Sequence, residues 1–138
     1  MVMDLAKARD FLRGNHKSIL ATTRTDGRPQ MSPVNHGVDD EGRVLISTRE
    51  PAFKARNIRR DPRVSLCAIN DSFYGEWVQL DGRASILSLP EAMEALVDLY
   101  RSIAGEHPDW DDYRAAMVRD QRCVIVIDIE RAGPDRAG

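Results

Sequence analysis

Between Thr48 and Arg63 the chain reads TREPAFKARNIRRDPR, six cations (Arg49, Lys54, Arg56, Arg59, Arg60, Arg63) against two acids (Glu50, Asp61). The 138-residue chain as a whole has a formal net charge of −2, so this local excess stands in an otherwise acidic protein. Pro51 suits a first helical position and Pro62 drives Asp61 out of the α region, so the spacing predicts a helix of about two and a half turns between them. Arg59, Arg60 and Arg63 then fall near its C-terminus, where cations complement the helix dipole and need no ligand. Lys54 falls near the other end, where a cation opposes the dipole. An ammonium there, with the free N–H groups of the first turn, could converge on a phosphate or carboxylate. Thr48 would add a hydroxyl from the preceding strand end, and Asn57, three residues after Lys54, shares its face.

Other chemistries fit less well. A pI near 5.9 argues against coating nucleic acid, and the cationic window offers only Phe53 for base stacking, so no nucleic-acid partner is expected. The start MVMDLAKARDFLRG is interrupted by Asp4, Lys7 and Arg9, and no run approaches transmembrane length; a cytoplasmic protein without a membrane partner is expected. Cys67 and Cys123 each sit in an apolar, β-branched stretch without Cys-x-x-Cys spacing and read as buried reduced thiols. The acids of EHPDWDD are those a helix N-terminus prefers, so no metal is assigned to them.

The elements that must position these groups follow from periodicity. Asp4 caps a first helix with Leu5, Ala8 and Leu12 at helical spacing, and Gly14 with Asn15 ends it. KSILATTRT and RPQMSPVNHGV flank Asp26-Gly27 as a hairpin, with Pro29 and Pro33 placing the second strand at an edge or bulge. RVLIST, the cationic helix, RVSLCAIN and EWVQLDGRASIL follow, with a bulge at Gly82. Ser88 and Glu91 form a capping-box pattern before AMEALVDLYRSIA, a helix starts near Asp109 with Trp110, Tyr113 and Met117 on one face, and RCVIVIDIE closes the chain as a strand covered on both sides. The expected order is α-β-β-β-α-β-β-α-α-β in one domain of residues 1–138, with the core at about 17–130 and a frayed tail at 131–138. Strands joined largely by hairpins imply a mainly β, α+β fold: an antiparallel barrel with peripheral helices.

SILATTRTDGRPQMSPV, VLISTREPAFKARNIRRDPRVSL and EWVQLDGRA, in that order, resemble the flavin-reductase-like split β-barrel family that includes pyridoxamine 5′-phosphate oxidase. LYRSIAGEHPDWDDYRAAM is similar to the actinobacterial branch described as coenzyme F420-dependent. The resemblance implies a six-stranded split barrel of the FMN-binding type, a homodimer with two cofactor sites at the subunit interface. By the same resemblance Met31, Ser32, Pro33, Val34, Asn35 and His36 line the tricyclic ring. Ser47, Thr48 and Lys54 hold the phosphate, Asn57 supports that region, and Trp77 and Gln79 reach the cofactor from the partner subunit. For His36 a plain surface role, and for Trp77 a core role, are the competing readings.

What the resemblance implies for activity is a coenzyme F420-dependent oxidoreductase that passes a hydride from the reduced deazaflavin to a small electrophilic substrate. An FMN-dependent oxidoreductase and a non-catalytic flavin- or haem-binding protein of the same fold are the alternatives. The family's FMN enzymes carry an Arg on the second strand and an Arg-Lys pair on the helix; here Met31 and Phe53-Lys54 stand there. The oxidase's C-terminal Arg and His have no counterpart in DIERAGPDRAG, which argues against vitamin B6 oxidation. Ser32, Asn35 and His36 are candidate proton donors beside water, and no catalytic side chain is assigned.

Overall fold

The computed structural model describes residues 3–133. The elements follow the expected order: α1 (Leu5–Gly14), β1 (Lys17–Thr23), β2 (Pro29–Val38), β3 (Val44–Arg49), α2 (Phe53–Arg60), β4 (Arg63–Ile69), β5 (Trp77–Leu87), α3 (Met93–Ala104), α4 (Trp110–Arg119) and β6 (Arg122–Gly133). The strands close into an antiparallel barrel in the order β1-β2-β3-β6-β5-β4.

Local chemistry explains most boundaries. The Asp4 carboxylate accepts from the Ala6 N–H, and the Asp109 carboxylate from the Asp112 N–H, capping α1 and α4. At the β1–β2 hairpin Gly27 takes φ 87°, a region costly for residues with a Cβ. The β5–β6 register shifts between Asp81 and Gly82, where a Cβ on Gly82 would meet the Asp128 carbonyl oxygen at 2.3 Å. The expected bulge is therefore there, and only glycine allows the strands so close.

Alternation then divides the side chains. Ser18, Leu20 and Thr22 of β1 point into the barrel, joining Leu66, Leu80, Ile125 and Ile127, while Ala8 and Leu12 of α1 pack on the same core. On β6 the buried run Cys123–Ile127 serves two layers. Ile125 and Ile127 fill the barrel, and Val124 and Val126 pack outside against Leu96, Val97 and Leu99 of α3 and Tyr113 of α4. Each such aliphatic burial contributes about 1.5–3 kcal/mol.

Two boundaries differ from expectation. Arg131–Gly133 continue β6, pairing with β5 as far as Gln79↔Gly133, and Met3 bridges Ala132. The rest of the expected frayed tail, 134–138, lies outside the described residues. Ser88 does not cap α3; its hydroxyl donates to the Glu50 carboxylate at 2.6 Å, a charge-assisted bond stronger than a neutral cap, and the N-cap position falls to Ala92.

The barrel wall has one short seam. β2 and β3 pair only through His36↔Ile46, Gly37↔Leu45 and Val38↔Val44. Residues 29–35 of β2, which include both prolines, pair with β1 alone, and residues 47–49 of β3 pair with β6 alone. Proline removes a ladder donor, so it sits where one edge of the strand is open.

Candidate functional site

Where β2 and β3 part, a cleft of about 650 Å³ opens, bounded by Pro33, Val34 and Asn35 of β2, Ser47 and Thr48 of β3, and Lys54 of α2. Six of the twelve residues expected at the site thus meet in one space. Lys17, Arg49 and Arg122 also line it, so among the described residues four cations and no carboxylate line the cleft.

Charge separates this cleft from two other hollows. One of about 820 Å³ over β1, β4 and β5 is larger, but its Arg63 and Arg131 are matched by Asp81 and Glu130. Another of about 510 Å³ beside α3 holds Asp39, Asp40, Glu41 and Asp98 against Arg43 alone. Size favours the first; an excess of cations over carboxylates in the lining favours the seam cleft as an anion site.

Helix α2 presents its N-terminus to the cleft through Ala52 and Lys54. Its N-cap is Ala52, with no side-chain cap bond and no acid in the first turn, so the positive helix end carries no anionic group of its own. The other cations of the stretch divide by position. Arg59 bonds Glu50 at 2.6 Å, Arg63 grips Asp61 at 2.8 Å, and Arg60 donates to the Thr23 carbonyl and to Asn57 Oδ1. Hydrogen bonds from the Arg63 side chain and N–H hold the Asp61 carboxyl down at about 2. Those three arginines serve the fold, and Lys54 and Arg56 form no ion pair among the described residues.

The remaining expected residues lie outside the cleft lining. Strand alternation sends Met31, Pro33 and Asn35 outward and Ser32, Val34 and His36 inward, so six consecutive residues cannot share one face. Met31 is 62% exposed. Ser32 Oγ is buried with no hydrogen-bond partner among the described residues, on the strand that walls the cleft. His36 is fully buried rather than at the surface: its Nδ1 accepts from the Ser18 hydroxyl and its Nε2–H donates to the Leu12 carbonyl at 3.0 Å. Burial pushes its pKa down to about 4, so it is neutral at neutral pH. Asn57 is buried and donates to Thr22 Oγ1 at 3.0 Å. Half-buried Trp77 stands opposite Ile69 of the cleft wall, while exposed Gln79 lines the larger hollow.

Lys17 and Arg122 escaped the sequence reading, since each lies far along the chain from α2. One signal appears once the register is known: Arg49 and Arg122 are direct partners across β3 and β6, where like charges repel. Lys17 bridges Asp71 at 2.9 Å, but both side chains are well exposed, so the pair holds Lys17 weakly.

The architecture defines a split β-barrel whose open seam carries a cationic cleft beside a helix N-terminus. The chain belongs to the pyridoxamine 5′-phosphate oxidase family, whose sequence pattern matches residues 5–134, and whose fold is that of oxidoreductases with flavin-type cofactors. Among solved structures, the conserved hypothetical protein Rv2991 from Mycobacterium tuberculosis is 29% identical, with a TM-score of 0.77 over 96% of this chain and 84% of that one. A protein described as an F420 reductase is 22% identical, with a TM-score of 0.71 over 91% of this chain and 94% of its own. HupZ from Group A Streptococcus shares the fold at 15% identity and a TM-score of 0.68, covering 99% and 97%.

No helix among the described residues is long and apolar enough to cross a membrane.

Proposed function

We propose that this protein is a coenzyme F420-dependent reductase that delivers a hydride to a small electrophilic organic acceptor, acting as a cytoplasmic homodimer. The observation that carries the reading is the cleft's charge: among the described residues its lining holds Lys17, Arg49, Lys54 and Arg122 and no carboxylate, beside a helix end without a side-chain cap. Coenzyme F420 carries a phosphodiester and a poly-γ-glutamate tail, whereas FMN offers a single phosphomonoester; four cations suit the larger anion better. The sequence resemblance to the F420-dependent branch and the fold shared with a protein described as an F420 reductase support the same choice.

In this reading Lys54, the Thr48 hydroxyl and the first-turn N–H groups of α2 hold the phosphate, with Ser47 at its edge. Pro33 and Val34 give the ring an apolar wall and Asn35 offers it hydrogen bonds, while the buried Ser32 hydroxyl lies outside the cleft lining. Asn57 acts indirectly, by fixing α2 against β1 through Thr22. Met31, Trp77 and Gln79 lie outside one protomer's cleft; across the dimer seam Trp77 and Gln79 would reach the partner's coenzyme. When bound and reduced, a deazaflavin supplies a hydride from its C5 carbon. The protein's part is to hold an acceptor at near-attack distance over the ring. His36, neutral and engaged at both ring nitrogens, and Ser32, buried outside the lining, have no proton to give to the cleft, and the Asn35 carboxamide is no acid, so water is the proton source in this reading.

Titrating the purified protein with coenzyme F420, FMN and haem, followed by assay of reduced F420 oxidation with menadione or cyclohexenone, tests this reading. F420 binding with turnover is expected. A protein that is yellow as purified and binds FMN alone would replace F420 with FMN. Binding without turnover on any acceptor would make it a carrier.

A further inference from the structure

We propose that Arg49 and Arg122 form a second anion subsite in the seam cleft, separate from the one at Lys54, so that the site selects ligands carrying at least two anionic groups. The inference rests on the reading that the cleft holds the anionic end of a coenzyme, and it names the residues that read the second charge.

Arg49 and Arg122 are direct cross-strand partners on β3 and β6, and both line the cleft. Two guanidinium groups placed opposite one another repel unless something anionic lies between or above them. The fold supplies no such group: neither forms an ion pair among the described residues. Glu50, the next residue after Arg49, is turned away to Ser88 and Arg59. Arg49 Nε donates only to the Asp120 carbonyl, at a long 3.3 Å. Arg122 Nε is buried with no acceptor among the described residues. Arginines elsewhere in the chain behave differently. Arg43, Arg63, Arg114 and Arg131 each grip a carboxylate at 2.8–2.9 Å. A fork-shaped donor left unfilled beside a cleft matches the two oxygens of a carboxylate or phosphate. The turn from Arg49 to Ala52, closed by the Ala52 N–H to Arg49 carbonyl bond at 3.0 Å, carries the chain from this pair to the α2 N-terminus, so the two subsites adjoin one cleft from different elements.

The test compares wild type with Arg122→Gln and, because half-buried Arg122 could be needed for folding, with Arg49→Gln at an exposed position. Fluorescence titration would use coenzyme F420 bearing several tail glutamates and the same coenzyme stripped of them; calorimetry would use inorganic phosphate and tripolyphosphate. Wild type is expected to prefer the tailed coenzyme and tripolyphosphate by about tenfold, and either substitution to reduce that preference to about twofold, weakening the tailed coenzyme and tripolyphosphate more than the stripped coenzyme and phosphate. Loss on tripolyphosphate alone would assign the second group as phosphate, and loss on the tailed coenzyme alone as carboxylate. Unchanged preferences in both variants would overturn the subsite. If wild type binds no deazaflavin, the functional reading falls, and the tripolyphosphate comparison decides the subsite alone.

Discussion

The Asn57 carboxamide lies between α2 and the barrel, donating to the Thr22 hydroxyl at 3.0 Å and accepting from Arg60 at 3.1 Å. Both Asn57 and Thr22 are buried, so the bond joins the helix that carries Lys54 to β1. Leaving buried Thr22 Oγ1 without this donor should cost about 1–3 kcal/mol. Asn57→Ala is therefore expected to lower the urea midpoint and to weaken coenzyme binding through misplacement of α2. Unchanged stability would show that the latch does not hold the helix.

His36 gives a pH-dependent signature. Burial lowers its pKa from 6.5 to about 4 in the folded state, so the unfolded chain binds the extra proton first as pH falls. The stability linked to this group is fully present above pH 6.5 and is lost as pH falls from there towards 4, in total on the order of 3 kcal/mol. Urea unfolding between pH 7.5 and 4 should show that slope. His36→Gln should be less stable at pH 7.5 and flatten the slope; an equal slope in the variant would contradict the assignment.

The order of elements, the Asp26-Gly27 hairpin and the Gly82 bulge were legible in the sequence because each rests on local chemistry: φ sign, proline placement and period. The cleft was legible only in part. Lys54 and Thr48 lie near one another in the chain, and the anomaly of a cation at a helix N-terminus pointed to them. Arg122 joins them solely through strand register, which the sequence does not print. For His36 a surface role competed with a place at the ring because β2 resembles an edge strand; in fact the strand is open only along residues 29–35, and His36 begins the segment that pairs with β3. Ser88 illustrates competition: its capping spacing is correct, but a distant carboxylate, Glu50, captures the hydroxyl.

Trp77 tests the dimer. It is half-buried at the head of β5, beside the cleft wall but not in the cleft lining. If it reaches the partner's coenzyme, Trp77→Ala should weaken both self-association in sedimentation velocity and coenzyme affinity while leaving the fold intact. A monomer at every concentration, with full coenzyme affinity, would remove the shared site.

The most direct test of the cleft is the affinity of wild type and Lys54→Ala for coenzyme F420, read by the coenzyme's own fluorescence. Lys54 forms no ion pair among the described residues, so its removal should spare stability and cost about tenfold or more in affinity, with wild type preferring F420 to FMN. Equal affinity in the two proteins, or no binding of F420 by wild type, would contradict the account.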